Sequence, residues 1–236
     1  GRAQAQALAR ECDVFVNNYR PGTLERYGLG YEAVKAVNPR VIYCAISGYG
    51  YVKPELSARG AYDHVIQALT GMAMLTGNEG DPPIKVGFPV VDVTTGILGA
   101  LAILTAVRER DRHGSGCFLD VSMWAAALQL MYPFSSETLS SGARTPRVGN
   151  KAYSGSPAAD TFQCADGWIA LGASTQTHIE KLLAVLDIAP DLVAPLMEAP
   201  GPGRTSFARA RDPQKFKDLL AQHIRGRSAE QLDVLL

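Results

Sequence analysis

The chain has 236 residues, 23 of them basic and 23 acidic, for a formal net charge of zero. That length suits one large domain, or a domain with part of another, around a real hydrophobic core. Zero net charge excludes a broad field for nucleic acid or an anionic membrane, so an anionic ligand must be met by a local cluster.

The chain opens inside an Ala-rich helix pattern (Ala3 to Arg10) without an initiator Met and stops at Leu236 inside another, so it is expected to be a piece of a longer protein. Asp13 to Tyr19, D-V-F-V-N-N-Y, is a buried-strand pattern ended by the turn Arg20-Pro21-Gly22. Thr23 is placed to cap a short helix ending near Tyr27, and Tyr31 to Val37 is a second one closed by Asn38-Pro39. Arg40 to Ser47, R-V-I-Y-C-A-I-S, is another apolar strand, ended by Gly48-Tyr49-Gly50. Helix, strand, helix, strand is the rhythm of an α/β domain with an open parallel Rossmann-like sheet, whose ligands bind beyond the carboxyl ends of the strands.

Tyr62 to Leu75 reads as an amphipathic helix with Val65, Ile66, Leu69 and Met72 inward, followed by a turn-rich loop from Asn78 to Pro83. Next comes a long helix of Gly, Ala, Leu and Ile running to Arg110. Its longest apolar stretch, Ile97 to Val107, falls short of the roughly 20 residues that a membrane span needs. The turn at His113-Gly114-Ser115-Gly116 leads to the strand C-F-L-D-V-S-M and the helix W-A-A-A-L-Q-L-M. The division expected is 1–134 as a large α/β domain, incomplete; 135–154, rich in Ser, Gly, Pro and Arg, as a linker; and 155–236 as a small α+β domain, incomplete at its C-terminal side. Within the last, Thr161 to Cys164 and Trp168 to Ala173 form a hairpin across Ala165-Asp166-Gly167. A helix covers about Thr177 to Leu186, and a Pro/Gly-rich loop from Pro195 to Gly203 precedes a final helix pair.

Asp92 draws attention because it lies in an apolar run, Phe88-Pro89-Val90-Val91 before it and Val93 after it, at the start of the long helix. Two readings are open and compatible. As an N-cap it takes a hydrogen bond from the Thr94 or Thr95 N–H; as a nucleophile it is kept ionised by the helix N-terminus, which lowers a carboxylate's pKa. Asp63, at the start of its own helix, is a cap by position. Arg20 and Arg26 flank one turn at a strand end, where guanidinium groups suit phosphates, although two solvated arginines explain them equally. Gly28-Leu29-Gly30-Tyr31-Glu32-Ala33 fits a loose dinucleotide fingerprint but does not follow a strand directly, which argues against a nicotinamide site. No histidine has a Ser or Cys partner in a nucleophile motif. The cysteines, Cys12, Cys44, Cys117 and Cys164, form no C-x-x-C pair and no metal site; they read as reduced thiols of a cytosolic protein.

Taken in order, five blocks resemble the class III CoA-transferases, the family of formyl-CoA transferase and carnitine CoA-transferase with α-methylacyl-CoA racemase as a branch. They are D-V-F-V-N-N-Y-R-P-G-T-L-E-R-Y-G; N-P-R-V-I-Y-C-A-I-S-G-Y-G; G-A-Y-D-H-V-I-Q-A-L-T-G; T-G-N-E-G-D-P-P-I-K-V-G-F-P-V-V-D-V-T-T-G; and R-V-G-N followed by F-Q-C-A-D-G-W-I-A-L-G-A. The resemblance implies that Asp92 is the catalytic aspartate, acylated by an acyl-CoA and then converted to an aspartyl-CoA thioester. It implies that Asp63 is an auxiliary acidic residue and that Asn18, Tyr19, Arg20, Thr23 and Arg26 contact CoA. CoA then enters as part of the substrate, with no permanent cofactor or metal, and the full-length protein is expected to be an interlocked homodimer. The racemase branch carries G-H-D where this chain has Ala61-Tyr62-Asp63. With a phenol pKa of about 10, Tyr62 is a poor acid/base substitute, and His64, two residues on, is expected to point elsewhere. Transfer is therefore favoured over racemisation, with an inactive CoA-binding homologue as a further alternative.

Overall fold

The computed structural model describes residues 1–51, 54–57, 59–199 and 207–236. It divides into two compact units, Gly1–Arg147 and Val148–Leu236, each described by itself.

In the first unit, α1 (Arg2–Glu11) leads to β1 (Val14–Asn17), α2 (Tyr31–Val37), β2 (Ile42–Ser47), the short α3 (Pro54–Ser57) and α4 (Asp63–Leu69). Then come α5 (Val90–His113), β3 (Cys117–Ser122), α6 (Met123–Leu130) and α7 (Tyr132–Ser141). Among the described residues the strands form one parallel sheet in the order β1-β2-β3. The middle strand β2 is buried along nearly its whole length, which is why it reads as an unbroken apolar run. Phe15, Tyr43 and Phe118 occupy matching positions on the three strands, and the rings of neighbouring strands stack at 4.8 and 5.8 Å. The buried Tyr43 hydroxyl donates to Leu29 O at 2.8 Å, and burial pushes its pKa up. Cys44 and Ile46 lie toward α5, where Gly99 lets the helix backbone settle at ordinary contact distance.

Helix α5 ends on Gly114, left-handed at φ 79°, whose N–H donates to Arg110 O at 2.7 Å. Two residues later Gly116 meets the start of β2 so closely that an added Cβ would stand 2.0 Å from Val41 O. The obstacle is backbone and cannot rotate away. Gly116→Ala is accordingly expected to cost about 2 kcal/mol or more, read as a lower denaturation midpoint at unchanged m-value.

Several sequence expectations are corrected here. Thr23 is not the cap of the turn Glu25–Tyr27, which starts from Leu24; its N–H donates to Arg20 O. The helix expected over 62–75 stops at Leu69. Gly71 turns left-handed (φ 84°), a separate turn covers Met72–Met74, and Leu69 faces out while Ile66 and Met72 are buried. The supposed linker begins as helix, since α7 runs to Ser141. The Ser135 and Ser141 hydroxyls donate to Met131 O and Glu137 O one turn back, so a serine-rich texture is accommodated within helix. His113 ends α5 rather than lying in a turn. The apolar stretch judged too short is part of a 24-residue helix that is long and apolar enough to cross a membrane. One face of this helix packs on the sheet, while Val93, Ile97, Leu101 and Leu104 stand exposed along the other.

The second unit holds a hairpin of β4 (Thr161–Gln163) and β5 (Trp168–Ala170), then α8 (Gln176–Val185), α9 (Pro190–Val193), α10 (Pro213–Ile224) and α11 (Ala229–Leu235). Phe162, Ile179, Leu182, Phe216, Leu220 and Leu232 form its core. The Asp166 carboxylate of the hairpin turn accepts the Ala229 N–H at 2.8 Å, fastening the turn to α11 and holding its pKa down. Of the Pro/Gly-rich loop expected over 195–203, residues 200–203 lie outside the described residues.

Candidate active site

The chain leaves α5 at its C-terminal end and enters β3, so the N-terminus of α5 lies at the carboxyl end of the sheet. Asp92 is the third residue of that helix. Pro89, the residue before the helix, offers no side-chain acceptor, and the first turn needs one from elsewhere. Asp63 supplies it across the fold: its Oδ2 accepts the backbone N–H of Val91 at 2.8 Å and of Asp92 at 3.0 Å. The cap of α5 is thus Asp63. Asp92 does not cap from its own N-terminus, and Asp63 does not cap its own helix, where Tyr62 is the N-cap residue.

Asp63 is itself gripped. Gln67 Nε2 donates to Asp63 Oδ1, and Gln67 Oε1 accepts the Val86 N–H at 2.8 Å. That last bond fixes which end of the Gln67 amide is oxygen, so the other end must donate. Gln67 and the Val91 and Asp92 N–H groups all donate hydrogen bonds to Asp63, and the carboxylate acts only as acceptor. Gln67 is completely buried and Asp63 is 9% exposed.

Asp92, by contrast, is exposed as a residue. Its carboxyl pKa is raised, first by partial burial and second by the Asp63 charge beside it. This reverses the expected lowering by the helix N-terminus: partial burial and the charge of the carboxylate that caps the Val91 and Asp92 N–H groups both disfavour a charged Asp92. Phe88 and Val93, two of its apolar neighbours in the sequence, are 57% and 51% exposed in this chain.

The other predicted residues gather at the same end of the sheet. Asn18, Tyr19, Arg20, Thr23 and Arg26 follow β1, and Tyr19 N–H donates to Asn17 Oδ1 at 3.3 Å. Arg20 reaches across to Gly60, where a Cβ would stand 2.7 Å from its Nη2, and Ala61 presses on Gly48 after β2, where a Cβ would come within 2.1 Å. Through these two contacts the loop after β1, the loop after β2 and the segment entering Asp63 form one rim. Arg26 and Tyr19 are exposed on it. Tyr62 and His64 do not diverge: because Tyr62 is extended rather than helical, the two rings stack at 6.1 Å and 17°.

Sequence reading missed Gln67, although its position four residues after Asp63 on one helix was the signal for a side-chain pair. It missed the Gly60 and Gly48 approaches, which depend on tertiary contacts. Among the described residues, no three His, Cys, Asp or Glu side chains form a metal-holding group. What the site offers is an exposed carboxylate, a second one locked beside it, and two arginines, Arg20 and Arg26, in the segment after β1.

Residues 1–236 match the sequence profile of CoA-transferase family III. Human succinyl-CoA:glutarate CoA-transferase is 33% identical over 186 residues, 79% of this chain and 42% of that protein. The succinyl-CoA–D-citramalate CoA-transferase of Chloroflexus aurantiacus is 30% identical over 237 residues, 100% of this chain and 57% of that protein. In structure, a CaiB/BaiF family protein from Brucella suis superposes with a TM-score of 0.83 at 29% identity, over 99% of this chain and 60% of that one. The chain thus spans about half the length of the curated relatives it matches. With the profile running from end to end and an aspartate pair at the carboxyl end of the parallel sheet, the chain belongs to CoA-transferase family III.

Proposed function

We propose that the full-length protein moves CoA from an acyl-CoA thioester to a free carboxylic acid, with Asp92 as the covalent nucleophile. The observation that carries this reading is the asymmetric carboxylate pair: Asp63 is held by N–H donors while Asp92 is left to react. Asp92 attacks the thioester carbonyl, the C–S bond breaks, and an acyl-aspartyl anhydride and CoA thiolate result. The thiolate attacks the Asp92 carbonyl, giving aspartyl-CoA thioester and releasing the donor acid with one oxygen from Asp92. The acceptor carboxylate reverses both steps. Each acylation removes the Asp92 charge and relieves its repulsion by Asp63, so the ground state that Asp63 destabilises is the one the reaction consumes.

On this reading Asn18, Tyr19, Arg20, Thr23 and Arg26 hold CoA, with Arg20 and Arg26 facing its phosphates. The anhydride must be kept from water. An interlocked homodimer in the cytoplasm fits that need and the exposed Val93, Ile97, Leu101 and Leu104 stripe of α5. The names of the relatives make succinyl-CoA the first donor to test, with dicarboxylic acids as acceptors. The Tyr62–His64 stack favours a second reading, an acyl-CoA racemase, since it sets an imidazole against the ring of the residue that precedes Asp63.

The experiment is incubation of the full-length protein with an acyl-CoA panel and labelled carboxylic acids, then hydroxylamine. The expected result is exchange of CoA between acids and a hydroxamate at Asp92. Exchange of the α-proton without acyl exchange supports the racemase reading, and failure to bind CoA overturns both.

A further inference from the structure

Arg147, the last residue of the first unit, spends its guanidinium on one loop. Nε donates to Met74 O at 3.0 Å, Nη2 to Ala73 O at 3.1 Å, and Nη1 to Pro82 O at 3.1 Å and to Asp81 O; Nη2 also lies 3.3 Å from Met74 Sδ. These carbonyls come from both limbs of the strap between α4 and α5. The limbs are also tied directly, Ile84 N–H to Ala73 O at 2.9 Å, and the strap's tip is closed by Asn78 N–H on Asp81 Oδ2 at 2.7 Å. The planar fork of an arginine is what allows one side chain to bridge acceptors on two limbs; a lysine ammonium is a single point.

The strap has a second attachment. Beyond the second limb, Val86 donates its N–H to Gln67, Gln67 donates to Asp63, and Asp63 holds the Val91 and Asp92 N–H groups. Val86 also packs against the cluster of Ile66, Met72 and Val91. Every link between Arg147 and the backbone of Asp92 is a hydrogen bond or a short stretch of tied chain. We propose that Arg147 is a positioning residue for Asp92, acting through this strap and Gln67 to set the turn from which the nucleophile projects. The proposal rests on Asp92 being the nucleophile.

The test uses the full-length protein and compares Arg147→Ala, Arg147→Lys, Gln67→Ala, the Arg147→Ala/Gln67→Ala double variant and Asp92→Asn. For each, kcat and KM are measured, with kcat divided by the fraction of chains that is folded, read from the amplitude of the cooperative thermal melt, so that misfolded chains are not counted. Arg147→Ala and Gln67→Ala are each expected to lower kcat per folded chain by about 10- to 100-fold, with KM for the acyl-CoA within about threefold, the pattern of a misaimed nucleophile. Because both act along one path, the double variant is expected to lose no more than about threefold beyond the worse single. Arg147→Lys keeps charge and stem but not the fork, and is expected to recover little; it decides the matter if the alanine variant does not fold.

Wild-type kcat per folded chain in Arg147→Lys and Arg147→Ala, or a double variant equal to the product of the singles, overturns the proposal. With Asp92→Asn inactive, that outcome removes the relay and leaves the nucleophile standing. Transfer retained in Asp92→Asn overturns both.

Discussion

Replacing Asp92 by Asn lowers CoA transfer by about four orders of magnitude or more, the scale seen when a covalent nucleophile is removed. The carboxamide is nearly the same size but cannot form the anhydride. Fold should be unaffected. The capping bonds at the start of α5 use the Asp92 backbone N–H and the Asp63 carboxylate, both kept in the variant. Removing one of two neighbouring carboxylates also relieves their repulsion, so the melting temperature is expected to hold or rise slightly. A coupled assay for the product thioester and a thermal melt measure the two effects. Activity within tenfold of wild type with an unchanged melt would remove Asp92 from the chemistry.

Changing Asp63 acts on both stability and rate. In Asp63→Ala the Val91 and Asp92 N–H groups and the Gln67 amide lose their acceptor in a buried place, at a cost of about 2–3 kcal/mol. In Asp63→Asn the amide must turn its oxygen to the helix and its NH2 to Gln67. If Gln67 flips in response, its own NH2 meets the Val86 N–H, so the mismatch travels and kcat falls about 10- to 100-fold. The pH dependence separates charge from geometry. The reactive form of Asp92 is ionised, so activity is full above its pKa and is lost as pH falls through it. Burial and Asp63 both place that pKa above the ordinary 3.8. Without the Asp63 charge it moves down, so the acidic limb of kcat/KM is expected to shift to lower pH in Asp63→Asn, while the burial contribution keeps it above the ordinary value. A limb that stays put or moves up would deny that Asp63 repels Asp92.

The fold class was legible because the physics that sets it is local. An apolar run such as Ile42 to Ile46 has no polar face to put in water, so it becomes the middle strand of a parallel sheet. Gly114 after the last turn of α5 marks the end of a helix whatever surrounds it. The candidate site was legible as a set of residues, through the ordered blocks that carry the family resemblance. Its electrostatics were not. A helix N-terminus beside Asp92 suggested a lowered pKa, and only the folded chain shows that Asp63, 29 residues earlier, caps that terminus and sets its charge beside Asp92. The same limit hid the role of Arg147, whose carbonyl partners lie 65 to 74 residues away. The early end of α4 was a local signal, Thr70-Gly71, overridden in reading by the apolar period that continues through Met72.

The central claim is that Asp92 itself joins the chain of acyl and CoA transfers, and oxygen isotopes test it most directly. If the acceptor acid is supplied with 18O in its carboxylate, the atom balance leaves one of its oxygens on Asp92 after each turnover and hands an Asp92 oxygen to the next donor acid. Digestion after a single turnover is predicted to show one 18O on the peptide containing Asp92, with label appearing in the donor acid released on later turnovers, and neither in Asp92→Asn. Transfer that proceeds with Asp92 unlabelled would mean that the acceptor attacks the donor thioester directly, and would contradict the account.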